Sequence, residues 1–494
     1  MSAYRELESR FRRMAALGEA AGMLHWDMSV LMPSGGVEAR TEQLTALKLT
    51  THEMKTDPAL ADLLDAAGGE DLDGPWQVAN LAEMRRIWVH ANAVDADLVE
   101  AMTRASSACE MVWREARPDN DYARVLPYLE EVLNLSCLAA SAKAVALDCS
   151  PYEALLDEYE AGGRTDRIDA LFADLTDFLP SFLEIALGKQ SARGEAIMPA
   201  GPFDTERQRD LGRRLMGVLG FDFDSGRLDV SLHPFCGGVP GDVRITTRYT
   251  EDNFTQSLMG VLHETGHALY EMGLPADWHY QPVGSARGMA LHESQSLLIE
   301  MQACRSREYL SFAAPLMREA FGGSGPEWEV ENLYRLYTNV ERSFIRVDAD
   351  EVTYPAHVIL RYRLERALID GDLPLADLPG AWNDAMEDLL GIRPPDDRQG
   401  CLQDIHWYDG AWGYFPTYTM GAMAAAQLFA AAKAAQPEIP DRIAEGDFMP
   451  LVGWMRENLH AKGSSASTDE LMEAATGKPL GADDFKAHLQ ARYG

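Results

Sequence analysis

The run Met259-Gly-Val-Leu-His-Glu-Thr-Gly-His-Ala-Leu-Tyr-Glu271 places two histidines four residues apart, with a glutamate directly after the first. On a helix, residues four apart lie on one face, a single turn from each other. The segment is therefore expected to be helical, with His263 and His267 offering two imidazoles to one tetrahedral ion and Glu264 poised beside them as a base for a water. A helix whose histidines are merely packed shows the same spacing, so the metal reading demands more of the chain. Two imidazoles leave such an ion short of a third protein ligand, which must come from a second helix. Ala286-Arg-Gly-Met-Ala-Leu-His-Glu-Ser-Gln-Ser-Leu-Leu-Ile-Glu-Met301 provides one, with Glu293 as the natural candidate and His292 as its competitor. Adjacent helical residues point about 100° apart, so one of the two is expected to ligate.

Helical spacing also governs the chain upstream. It runs from Tyr4 to Leu31, where Met32-Pro-Ser-Gly-Gly36 ends it, and resumes from about Val37 to Lys55. Beyond a polar, glycine-rich stretch at 65–75, helices dominate as far as Leu187. Between Phe221 and Thr250 the texture changes. Arg227–Phe235 and Asp242–Tyr249 alternate and carry β-branched residues, which predicts two short strands joined by the loop Cys236-Gly-Gly-Val-Pro-Gly241. Such a sheet would wall the metal helix, and a free strand edge would hold an extended peptide by its backbone. No repeat or low-complexity linker marks a domain boundary.

A net charge of −34 repels polyanions, which excludes nucleic acid and anionic membranes as partners. The most apolar run, Met420 to Gln436, is broken by Gln427 and Lys433, so it reads as a buried helix rather than a membrane span. The opening residues alternate charges and lack a secretory pattern. Six cysteines without CxxC spacing suit free thiols in a reducing compartment, so a cytoplasmic location is expected.

Two later stretches carry further candidates. Phe344-Ile-Arg-Val-Asp-Ala-Asp-Glu-Val-Thr-Tyr-Pro355 sets Arg346 beside a dense acidic run that would equally serve as a capped helix start. Gly400-Cys-Leu-Gln-Asp-Ile-His-Trp407 leads into Tyr408-Asp-Gly-Ala-Trp-Gly-Tyr-Phe-Pro-Thr-Tyr418, a non-periodic, aromatic stretch suited to a pocket-lining loop or to a core plug.

Taken together, His233-Pro-Phe235, Asp242-Val-Arg-Ile-Thr246, His263-Glu-Thr-Gly-His267, His292-Glu-Ser-Gln-Ser296, Ile345-Arg-Val-Asp-Ala-Asp350 and Gly400-Cys-Leu-Gln-Asp-Ile-His-Trp407 resemble, in order, the motif series of the carboxypeptidase Taq family of metallocarboxypeptidases. His25-Trp-Asp27, Met32-Pro-Ser-Gly-Gly36 and Ala39-Arg40 resemble that family's opening, so the likeness covers nearly the whole chain. It implies a mainly α fold similar to neurolysin and angiotensin-converting enzyme, with a deep central cleft and a small β-sheet beside the active site. A single domain over 1–494 is expected, its helical part (about 1–200) and catalytic part (about 201–494) forming the two sides of the cleft. The resemblance also implies His263, His267 and Glu293 as ligands of one divalent metal per chain, Zn2+ first and Co2+ accepted. Homodimers and removal of single residues from peptides with a free C-terminus, with broad side-chain preference, are implied likewise.

On this reading Glu264 accepts the water's proton and passes it to the leaving amine. A second oxyanion donor is needed besides the metal; His406 and either Tyr414 or Tyr418 are the candidates. Recognition of a free carboxylate against a −34 protein field calls for a local arginine fork. Arg244 and Arg346 are the candidates, though each would equally hold nearby carboxylates, and His233 joins them as a substrate-binding residue through the resemblance. The alternatives are an oligopeptidase or dipeptidyl carboxypeptidase on the same scaffold, and a non-catalytic peptide-binding protein. The intact Glu264 argues against the second, because binding alone gives no reason for a base beside two ligands.

Overall fold

The computed structural model describes residues 2–494. The fold is 69% helical, and among the described residues there is one three-stranded sheet, so the class is mainly α. It forms two compact units, each assembled from three chain segments. The first comprises Met1–Trp88, Glu195–Tyr337 and Gly421–Leu480, and the second Val89–Gly194, Thr338–Met420 and Gly481–Gly494.

In the first unit, the Ala3–Val30 helix is capped by the Ser2 hydroxyl, which accepts from the Arg5 amide. Its stripe Tyr4, Leu7, Phe11 and Met14 packs on Leu60, Leu64, Ala67, Leu81 and Met84, the helical periodicity that buries one face. The following helix, Val37–Lys55, buries no residue fully.

The sheet has the order β1 (Gly226–Val230), β3 (Asp242–Thr247), β2 (Phe235–Val239). β1 runs parallel to β3, with Leu228 opposite Ile245, and β2 runs antiparallel to it, with Gly237 opposite Arg244. The stretch expected to be a loop after residue 235 is thus itself a strand. Its glycines disguise it: a β-carbon at Gly238, where φ is +87°, would stand 2.2 Å from the Asp242 carbonyl oxygen, so the backbones meet more closely than any side chain permits. The outer side of β2 is not free along its length, since a side chain at Gly22 of the N-terminal helix would stand 3.6 Å from the Gly238 carbonyl. On the opposite face, Val243 and Ile245 of β3 pack with Leu228, Met216 and Phe221 against Val261 and Ala268 of the Phe254–Gly273 helix. The sheet is therefore the bed on which the histidine helix lies.

In the second unit, the Ala96–Asp119 and Tyr122–Leu147 helices form an antiparallel pair, turned at Asn120 in the left-handed conformation (φ 56°) with the Asp121 carboxylate capping the second. The Tyr354–Ile369 helix packs on Thr165–Arg193 and Leu378–Leu390. Among the described residues no helix is long and apolar enough to cross a membrane, and Met420–Gln436 falls largely in the Pro416–Ala435 helix, where Met423, Ala424, Ala425 and Leu428 are buried. All six cysteines are free.

Candidate metal centre

The Phe254–Gly273 helix starts at Asn253, whose side chain accepts from the Thr255 amide, and it is buried nearly all round. Beside it runs the Gly288–Leu297 helix. The two come together at Gly266, where a β-carbon would stand 2.4 Å from the Gln295 carbonyl oxygen. This contact of backbone on backbone brings His263 and His267 to the helix that carries Glu293. The Glu293 carboxylate lies 3.9 Å from His263 Nε2 and 3.5 Å from His267 Nε2, and one donor atom from each of the three lies within 4.8 Å of the others. Ligands at about 2.1 Å around a tetrahedral ion stand roughly 3.4 Å apart, so two imidazole nitrogens and a carboxylate oxygen at these spacings fit a zinc-class divalent ion. His292 is not in the trio. Its ring turns away to His267 Nδ1 at 2.7 Å and Glu271 Oε1 at 2.8 Å.

Each ligand imidazole has an outer partner. His263 Nδ1 lies 2.9 Å from Glu300 Oε2, and Arg305 pairs with the other oxygen of Glu300. His267 Nδ1 lies 3.0 Å from the His292 carbonyl oxygen as well as beside the His292 ring. Glu300 and Arg305 are five residues apart, a spacing that diverges by about 140° on an α-helix. Here Glu300 lies within the π-helical turn Leu298–Ala303, and Arg305 folds back onto it from the turn that follows.

Glu264, Glu293 and Glu300 are all buried around the two imidazoles, a concentration of negative charge suited to a cation. Burial pushes Glu264 up to about 7. Burial works against charge on Glu293 too, yet the neighbouring imidazoles of His267 and His263 pull its carboxyl down to about 2. His267 is lowered by burial to about 4, whereas at His263 the Glu300 hydrogen bond and the Glu293 charge overcome burial and raise it to about 10.

Arg244 forks onto Asp242 at 2.8 and 2.6 Å and lies 4.4 Å over the Trp26 ring, with Arg227 5.2 Å from the same ring. The His233 side chain is exposed, while its carbonyl accepts from Ser231 Oγ.

The remaining candidates belong to the second unit, where the structure brings them into one cluster. Tyr418 Oη lies 3.4 Å from His406 Nε2, and the Tyr414 ring sits 5.7 Å from the His406 ring and 5.1 Å from that of Tyr418. Burial lowers His406 to about 4. Arg346 donates to Asp404 and, at 3.1 Å, to Tyr354 Oη, and lies 5.0 Å from the Tyr418 ring centre. Arg361, fully buried, shares Asp404 at 2.7 Å. Burial alone would raise the Asp404 carboxyl, but the two guanidiniums hold it well below the usual carboxylate range. Gln403 accepts from the Arg346 amide, and the buried Glu365 accepts from Trp407 Nε1 and Tyr152 Oη, both at 2.8 Å. Asp350 caps the turn at Val352 and Thr353, and Glu351 accepts from Tyr493 Oη and pairs with Arg492, so these two acids do structural work.

Glu271, Glu300, Arg305, Asp404, Arg361 and Glu365 are the partners that reasoning from sequence missed. Glu271 had a signal, four residues after His267 on the same helical face. Asp404 and Arg361 had none, because their pairing joins distant parts of the chain.

The family model for carboxypeptidase Taq (M32) metallopeptidases matches residues 6–493. A thermostable carboxypeptidase 1 of Thermus thermophilus is 38% identical, over 100% of this chain and 98% of that protein. Among solved structures, Trypanosoma cruzi metallocarboxypeptidase 1 superposes with a TM-score of 0.96 at 41% identity, over 99% of each chain. The M32 carboxypeptidase of Deinococcus radiodurans R1 gives 0.93 at 36% identity, over 100% of this chain and 99% of that one.

Proposed function

The chain belongs to the carboxypeptidase Taq (M32) family of metallopeptidases, and from that premise we propose that it removes single residues from the free C-termini of peptides, with broad side-chain preference, using Glu264 as general base. It is a metallocarboxypeptidase, a hydrolase of peptide bonds. The observation that carries the proposal is the convergence of His263, His267 and Glu293 within 4.8 Å, with the buried Glu264 next in sequence to His263.

His263, His267 and Glu293 would hold one divalent ion, zinc first and cobalt as its substitute. When bound there, such an ion would supply Lewis-acid polarisation of a scissile carbonyl and would lower the pKa of an attacking water. Glu264 takes the water's proton on a carboxylate oxygen and delivers it to the leaving amine. His406 and Tyr418 donate to the developing oxyanion. The approach of Tyr418 Oη to His406 Nε2 supports Tyr418 over Tyr414, whose ring instead packs edge-on against Tyr159 at 5.0 Å. For the substrate carboxylate, Arg346 is favoured over Arg244. In the buried Arg346–Asp404–Arg361 cluster two guanidiniums face one carboxylate, which leaves positive charge for a second one, whereas Arg244 is matched by Asp242. The protein is proposed to act in the cytoplasm as a homodimer.

The test is mass analysis of products from a free-acid peptide and its C-terminal amide, incubated with metal-loaded protein and with Glu264→Gln. A ladder shortened one residue at a time from the free acid, weak on the amide and reduced at least about 10²-fold in the variant, is expected. Internal or dipeptide cuts would replace the exopeptidase reading with the oligopeptidase one. Undiminished cutting by the variant would remove Glu264 from its role.

A further inference from the structure

His267 differs from His263 in what stands behind it. The carboxylate of Glu300 meets His263 directly. The carboxylate of Glu271 stands one ring further from His267, joined to it through His292. We propose that Glu271 and His292 form an outer relay that strengthens His267 as a metal donor, so that each ligand imidazole is backed by a buried or half-buried carboxylate, one in contact and one at a remove. The inference rests on the reading of His267 as a ligand.

The argument follows the protons. A carboxylate only accepts, so the 2.8 Å contact from Glu271 Oε1 requires the proton of His292 to sit on Nε2. In a neutral ring the other nitrogen then carries a lone pair. Across the 2.7 Å contact that lone pair must meet a proton on His267 Nδ1, because two bare lone pairs would repel at that distance. The His292 carbonyl oxygen, 3.0 Å from the same nitrogen, accepts too and favours the same tautomer. With Nδ1 protonated, His267 Nε2 is left with its lone pair on the side where Glu293 and His263 converge. The opposite tautomer would aim a hydrogen into the ligand trio.

The carbonyl alone would select this tautomer, and the ring adds something different. Hydrogen bonded to Glu271, His292 becomes a stronger acceptor at Nδ1 and draws harder on the His267 proton, which makes His267 Nε2 a better donor to a cation. Chain geometry favours the arrangement: Glu271 lies four residues beyond His267 on one helix and His292 next to Glu293 on the other, so the relay also ties the two ligand-bearing helices. Glu271 and His292 are thus positioning residues outside the ligand set.

The test is cobalt(II) affinity, measured by chelator competition on metal-free protein, with the cobalt absorption spectrum and the melting temperature of the metal-free protein as companions. Variants are His292→Ala, Glu271→Ala and Glu271→Gln. The glutamine keeps an acceptor of the same shape, and its site is partly exposed, so it guards against misfolding of the other two. Affinity is expected to fall about 10- to 100-fold in the alanine variants and by at least severalfold in Glu271→Gln, with a shifted cobalt spectrum and, in Glu271→Gln, an unchanged melting temperature. Wild-type affinity and spectrum in folded Glu271→Gln and Glu271→Ala would overturn the relay. Wild-type protein that takes up no cobalt would instead overturn the ligand assignment beneath it, which keeps the two failures apart.

Discussion

Gly266 stands between the ligand histidines, and replacing it with alanine tests what sets the spacing of the site. The added β-carbon would lie 2.4 Å from the Gln295 carbonyl oxygen and 2.6 Å from Ser296 Cα, both backbone atoms that no rotamer change removes. Carbon meets such atoms comfortably at about 3.4 Å, so the Gly288–Leu297 helix must retreat by roughly 1 Å. Glu293 rides on that helix, two residues before Gln295. Metal–ligand distances tolerate about 0.2 Å, so the displacement exceeds the tolerance severalfold. Since disturbing an outer partner alone costs about 10- to 100-fold, Gly266→Ala is expected to weaken cobalt binding by at least roughly 100-fold, with about 1–3 kcal/mol lost from the metal-free protein through overpacking. Gly260→Ala is the control on the same helix. The nearest atom to its β-carbon is Thr247 Oγ1 at 4.0 Å, so it should hold cobalt normally and gain up to about 1 kcal/mol of helix propensity. Chelator competition and thermal melts read both quantities. A folded Gly266→Ala protein that holds cobalt as tightly as wild type would show that backbone approach at this glycine does not set the ligand geometry.

Two further outcomes follow from the second unit. Burial raises Glu365 from 4.5 to about 7, against the donors that hold its charged form. The stability linked to its proton is therefore fully present below about pH 4.5 and is lost as pH rises through about 7; relative to Glu365→Gln, wild type should lose roughly 3 kcal/mol between those limits. Urea melts across that range check it, and a difference independent of pH would contradict it. Arg346→Ala should raise KM for a free-acid peptide and lower kcat/KM at least about 30-fold, while Arg244→Ala should cost about 1 kcal/mol of stability and little activity. Steady-state kinetics on both variants decide the matter, and the reverse ranking would move carboxylate recognition to the sheet.

Much of this was legible in the sequence because it is periodic or local. The Val37–Lys55 helix and the histidine helix follow from spacing and punctuation, and Glu293 was named because two imidazoles leave a metal site one ligand short. What stayed hidden is of other kinds. β2 reads as a loop because Gly237 and Gly238 are there for close backbone approach and carry no strand propensity. The interleaving of the two units leaves no compositional trace, since the chain crosses between them without a linker. The commitments of Arg244 to Asp242 and of Arg346 and Arg361 to Asp404 are pairings in space. An arginine in a motif looks the same whether it awaits a substrate or already holds a neighbour.

The π-helical turn at Leu298–Ala303 makes the site sensitive to chain length. Such a turn is an α-helix with one residue too many. A chain shortened by one residue there would regain the tighter winding of an ordinary α-helical turn. It would also disturb the register between Glu300, inside the turn, and Arg305, just past its end, and so the pair that stands behind His263. A one-residue deletion in this stretch therefore reaches the metal centre through the outer partner of His263, although it removes no ligand.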